Sequence, residues 1–179
     1  MAIKPDITEK ELVQACLEGK ARAQEQLYNK YSPVIYAICM RYAGNSENAN
    51  DMLQESFIKI FGRLRDFRFE GSFEGWMKRL AVNHCLDFYK KLKTEPFLEE
   101  LDGHSQLATG DSVVHHLQAA DLIGLLQKLP TGYRTVFNLY AIEGYGHQEI
   151  AEMLSISENT SKTQLFKARK LLQDWVNRK

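Results

Sequence analysis

Asn159, Lys162, Thr163, Phe166 and Lys167 recur at helical spacing on the side away from an apolar stripe, with Arg169 and Lys170 further along. From Asn159 to Lys179 there are six Lys and Arg against one acidic residue, Asp174, so this segment carries about +5. Such a face suits a helix lying in a DNA major groove between two rows of phosphates. The elements around it fit that use. Ile150, Ala151 and Leu154 make one apolar face, Ser155 to Ser157 makes a short break, and Leu165, Ala168, Leu171 and Leu172 make a second apolar face. Two helices joined by a three-residue turn cross closely, so the small Ala151 avoids a clash and Ile156 is expected to plug the gap between them. Ser157 is a good N-cap, and Glu158 follows where the helix dipole favours an anion. Ser155 stands where such a turn usually has Gly, and Ser161 where a Val or Ile usually faces the core. Looser packing is therefore expected of this helix. A plain helical hairpin with a solvated basic face would carry the same pattern.

No other residue set proposes chemistry of its own. The sequence holds no Gly-rich phosphate loop, no metal-ligand spacing and no Ser/His/Asp arrangement. Glu99, Glu100 and Asp102 sit in a stretch with nothing to fix their geometry, and the adjacent His115 and His116 point in different directions on any regular element. No enzyme activity, metal, cofactor or small-molecule substrate is expected.

Charge then constrains the partners. The 179 residues carry 23 basic and 23 acidic side chains, whereas a protein that grips DNA unaided usually has a basic excess. The balance is uneven: residues 1–92 carry +2, residues 93–120 carry −4 and residues 121–179 carry +2. Weak DNA affinity is expected of the chain alone, with a second partner supplying the remaining grip. Three cysteines, Cys16, Cys39 and Cys85, are odd in number and widely spaced, which fits reduced thiols in a cytoplasm. The start of the chain has no apolar run, and the longest such run, Val34 to Met40, is far too short to span a bilayer. An unexported, cytoplasmic protein is expected.

Periodicity is helical nearly throughout. Thr8 and Glu11 make a capping box for a first helix running to about Gly19. A second stripe runs through Leu27, Tyr31, Ile35, Ile38 and Tyr42, with Pro33 predicting a kink or restart. Ser46 or Asn48 caps a third helix through Leu53, Phe57, Ile60, Phe61 and Leu64, and Ser72 opens a fourth with Phe73, Trp76, Leu80, Ala81 and Phe88 at helical spacing. The pattern is lost between Lys93 and Ala119, resumes at Leu122 and stops near Gly144, before the helix-turn-helix. The expected fold is all-α: two small helical bundles over 8–92 and 120–177, joined by a flexible acidic linker over 93–119.

Three segments carry a family resemblance. DMLQESFI, from Asp51 to Ile58, resembles the D-x-x-Q-D/E-x-F-I/L signature of the sigma-70 family of bacterial RNA polymerase sigma factors. FEGWMKRLAVN, from Phe73 to Asn83, followed by Asp87, Lys90 and Lys91, is similar to the same family's F-x-x-W segment. LPTGYRTVF, from Leu129 to Phe137, is similar to the segment that opens the family's last domain. The three stand in the family's order, and the short linker with no long acidic extension resembles the extracytoplasmic-function group.

The resemblance implies roles. The helix of Asp51, Gln54, Glu55 and Ile58 would dock on core RNA polymerase, with Leu53 and Phe57 holding it to its own bundle. Leu64 to Lys91 would recognise and melt the minus-ten promoter element, a stretch in which Lys59 to Lys91 carries about +4. Strand separation needs somewhere to stack unpaired bases. Phe67 and Phe69 are the candidates for that pocket, and which of the two faces DNA is open. Lys78, Arg79, Asn83, Lys90 and Lys91 would supply polar and cationic contacts, while Phe73 and Trp76 read as core packing. Lys162, Thr163, Phe166 and Lys167 would face the minus-thirty-five groove, and Asn159 and Thr160 would position phosphates. Lysine lacks the planar fork for bidentate guanine contact, which points to lowered or shifted stringency. The acidic linker would mimic RNA's charge in the polymerase exit region. The implied partners are core RNA polymerase, promoter DNA and an anti-sigma factor, with the free chain a monomer. The competing reading is a dimeric helix-turn-helix regulator that binds operators without joining the polymerase; it leaves the Asp51 and Trp76 segments without a purpose.

Overall fold

A computed structural model describes residues 8–94 and 119–177, and every regular element within them is helical. The acidic connector expected at 93–119, apart from its helical ends, lies outside the described residues, as do the Glu99, Glu100, Asp102 cluster and the His115, His116 pair. The elements are α1 (Glu9–Leu17), α2 (Ala21–Tyr42), α3 (Ser46–Gly62), a 3-10 turn (Leu64–Asp66), α4 (Phe73–Thr94), α5 (Ala119–Lys128), α6 (Thr131–Phe137), a π turn (Asn138–Ile142), α7 (His147–Leu154) and α8 (Glu158–Asn177). They form two compact units. One takes in α1, α2 through Cys39, and Glu47–His84; the other takes in Met40–Ser46 and the chain from Cys85 onward.

In the first unit the apolar stripes become the core. Leu12, Val13, Leu27, Ile35, Ile60, Leu64, Phe73, Met77 and Ala81 are each at most 2% exposed. The capping box forms as the sequence predicts: Glu11 N–H donates to Thr8 Oγ1 at 3.3 Å, and Thr8 N–H donates to Glu11 Oε2 at 2.9 Å. Ser72 closes the start of α4, its Oγ accepting from Gly75 N–H at 3.1 Å. At Pro33 the helix does not restart. α2 runs through it as one helix, with the proline on the exposed face, where water can take the carbonyl that its missing N–H leaves free. The three cysteines are all buried and unbridged.

In the second unit Arg134 does work that its charge conceals. It is 4% exposed, and its Nη1 donates to the carbonyls of Gln127 and Leu129 at 3.1 and 3.3 Å, covering the acceptors left over at the end of α5. After α6 the chain widens into the π turn, whose extra residue per turn no periodicity announced. α7 and α8 then form the helix-turn-helix. Ile150, Leu154, Leu165, Ala168 and Leu172 fill the space they enclose. Ser155 takes φ of 54° and ψ of 49° at the end of α7, the left-handed corner for which glycine is the ordinary choice. No helix among the described residues is long and apolar enough to cross a membrane.

Candidate nucleic-acid interface

On α3 the buried and exposed faces are cleanly divided. Met52, Leu53, Phe57 and Ile60 are buried, while Asp51, Gln54 and Glu55 are exposed. Ile58 is exposed at 70%, the largest value among the exposed large apolar side chains. An isoleucine held in water beside two carboxylates and an amide forms a face that could take basic and apolar groups together. The buried His84 of α4 approaches the Glu55 carboxylate at 3.3 Å.

The loop before α4 separates the two phenylalanines. Phe67 is buried: the 3-10 turn carries it into a cluster with Phe73 and Trp76, at ring centroid distances of 5.0 and 5.5 Å. Phe69 lies over Phe67 at 4.9 Å, yet is 42% exposed. Its φ of 58° is rarely adopted by a bulky residue, and Lys10 Nζ of α1 stands 5.8 Å from its ring centre. Phe73 is fully buried, as core packing requires, and stacks on Trp76, which is only half-buried. Lys10 was not legible as a neighbour of Phe69, because only folding brings α1 to the loop.

Along α4, Arg79 and Asn83 are exposed in the first unit, and Lys90 and Lys91 are exposed in the second. Lys78 is half-buried and paired with Glu74 at 2.6 Å, one turn earlier. The two side chains remain 44% and 42% exposed, and pairs so open to water contribute little to stability, so a phosphate can compete for the ammonium at small cost.

On α8, Asn159 and Lys162 are exposed, and Thr160, Thr163, Phe166 and Lys167 are half-buried. Ser157 caps the helix, its Oγ accepting from Thr160 N–H at 2.9 Å, and the two hydroxyls meet at 2.7 Å. Lys162 pairs with Glu158 at 2.7 Å, and its hydrogen bond holds the Glu158 carboxyl below the usual carboxylate range. Lys167 Nζ lies 6.0 Å from the centre of the Tyr133 ring.

Ser161 has a polar partner where an apolar contact is usual. It is fully buried, and its hydroxyl meets His147 Nδ1 at 3.0 Å, so a polar contact replaces the apolar one across the α7–α8 seam. The His147 ring stacks on Tyr140 at 4.6 Å and 23°, and Tyr140 in turn carries the Arg169 guanidinium at 5.6 Å. Burial lowers the His147 pKa, and Lys162 and Arg169 push the same way against the opposing Glu158. Nothing in the spacing of these four residues announces the set.

Residues 27–95 match the model for Sigma-70 region 2, and residues 119–172 match Sigma-70, region 4. The ECF RNA polymerase sigma factor SigW of Bacillus subtilis is 30% identical over 176 residues, covering 92% of this chain and 94% of that protein. The ECF RNA polymerase sigma factor SigE of Mycolicibacterium smegmatis is 27% identical over 157 residues; this covers 85% of the chain but only 61% of that protein's length. In solved structures the chain resembles the sigma factor RpoE of Bartonella quintana, crystallised with the anti-sigma factor NepR. The TM-score is 0.50 at 20% identity, with 86% of this chain and 96% of that one covered, which is a likeness of fold.

Proposed function

The chain belongs to the extracytoplasmic-function group of the sigma-70 family, and we propose from its surfaces how it joins RNA polymerase and directs initiation to particular promoters. In this division by function, residues 8–92 are the segment that binds polymerase and opens the minus-ten element, 93–119 the connector, and 120–177 the segment that reads the minus-thirty-five duplex. The observation that carries this reading is the two-sided α3, which spends Leu53 and Phe57 on its own core and leaves Asp51, Gln54, Glu55 and Ile58 outside. Ile58 sets an apolar side chain, 70% exposed, beside those polar ones, a surface suited to a partner that carries both basic and apolar groups.

Phe69 is the base-facing ring, and Phe67 is the support beneath it. An unpaired base gains roughly 1–3 kcal/mol by stacking on such a ring. Arg79, Asn83, Lys90 and Lys91 follow the backbone, with Lys78 joining once released from Glu74. In the duplex-reading segment Lys162, Thr163, Phe166 and Lys167 face the groove, and Asn159 and Thr160 lie where α8 begins and a phosphate is favoured. A chain of zero net charge needs the polymerase to bring these surfaces to DNA together. An anti-sigma factor that covers the α3 face belongs to the same reading. A pull-down that recovers polymerase but no such protein under any growth condition would remove it.

The test is transcription in vitro with sigma-free core polymerase, this chain and fragments of its own genome, with starts mapped. Discrete new starts sharing two short upstream elements are the expected result. No starts, together with tight operator binding by the chain alone, would replace this reading by a regulator that works without joining the polymerase.

A further inference from the structure

Four side chains on three elements close a circuit that begins and ends on α8. Ser161 is fully buried in the seam and meets His147 Nδ1 at 3.0 Å; His147 stacks on Tyr140 at 4.6 Å; Tyr140 carries the Arg169 guanidinium at 5.6 Å. Ser161 and Arg169 are eight residues apart, so the circuit spans more than two turns of α8 and ties them to the start of α7 and to the π turn. Arg169 follows Lys162 by seven residues, close to two turns, which places it on the same side of the helix at the edge of the basic face.

We propose that Arg169 is a further DNA-contacting residue, which takes a backbone phosphate at the rim of the groove, and that Tyr140, braced by His147, is its positioning residue. The inference rests on the reading of α8 as the groove helix. A free arginine loses much of its rotamer freedom when it meets a phosphate, and a guanidinium already laid on an aromatic face loses less. The ring leaves the guanidinium edge, with its N–H donors, open to an anion. Tyr140 lies within the π turn, so that turn supplies the ring on which the guanidinium rests. A phosphate contact carries no sequence information, and Arg169 therefore contributes to every upstream element alike.

The experiment uses polymerase loaded with the full chain and duplex promoters mapped as above, with affinity measured across a salt titration. Arg169→Ala is expected to weaken binding uniformly over upstream sequences and to reduce the salt slope by about one. Tyr140→Leu should give part of the same loss, Tyr140→Phe should restore it, and Tyr140→Leu should add nothing in the Arg169→Ala background. An unchanged salt slope in Arg169→Ala, or an equal effect of Tyr140→Leu in both backgrounds, would overturn the proposal. If Lys167→Ala still discriminates among upstream sequences in that case, the groove helix stands and only this inference fails. If Lys167→Ala and Arg169→Ala are both silent, the reading of α8 fails with it.

Discussion

Phe69 gives up roughly 1–2 kcal/mol of backbone energy by standing at φ of 58°, and what it gains is an exposed ring over an aromatic floor. Strain kept at an exposed position points to use rather than to packing. Phe69→Gly removes the strain and the ring together, so thermal stability should hold or rise while promoter opening, read by permanganate reactivity of unpaired thymines, falls sharply. Normal opening would take Phe69 out of strand separation. His147 makes a second prediction. Its folded pKa lies below the ordinary value of 6.5, so the fold favours the neutral ring. That contribution is fully present above about pH 6.5 and is lost as the pH falls through the lowered folded value. The melting temperature of the unit containing α7 and α8 should fall on acidification, and His147→Gln should flatten that dependence. An unchanged slope in His147→Gln would assign the acid sensitivity to other groups.

Among the elements, the turn between α7 and α8 holds a residue that its geometry does not favour. Ser155 occupies the left-handed corner, and Ser155→Gly should stabilise the second unit by about 1 kcal/mol, seen as a higher melting temperature. A drop would show that the serine side chain contributes something that outweighs its backbone. Helices as such were legible, because apolar positions at 3.6-residue spacing reappear as buried ones from Leu12 to Leu172. The capping residues Thr8, Ser72 and Ser157 were legible too, since a cap depends on three or four neighbouring positions. Features that depend on distant partners were not. Pro33 looks like a break until its face is known to be exposed, Phe67 looks like Phe69 until the loop folds, and Ser161 looks like a defect until His147 reaches it. The π turn is a single turn of five residues, too short to show a period of its own.

At the scale of the whole molecule, function is divided between surfaces that should fail differently. Gln54→Ala lies on the face assigned to polymerase and should lower transcription from every promoter. Lys167→Ala lies on the groove face and should weaken promoters according to their upstream element, by about 1–3 kcal/mol at the best-matched ones. Parallel transcription of several mapped promoters would check both; uniform loss from Lys167→Ala with no effect of Gln54→Ala would invert the assignment. The buried thiols bear on such work. Cys16, Cys39 and Cys85 are all buried, and burial also raises the Cys16 pKa, which further suppresses its thiolate. Maleimide reagents should therefore leave the folded protein almost untouched and modify it only on denaturation, a difference that mass spectrometry would read directly. The native chain is thus a ready-made blank for site-specific dyes: one cysteine introduced on either surface can be labelled without first stripping out the natural ones.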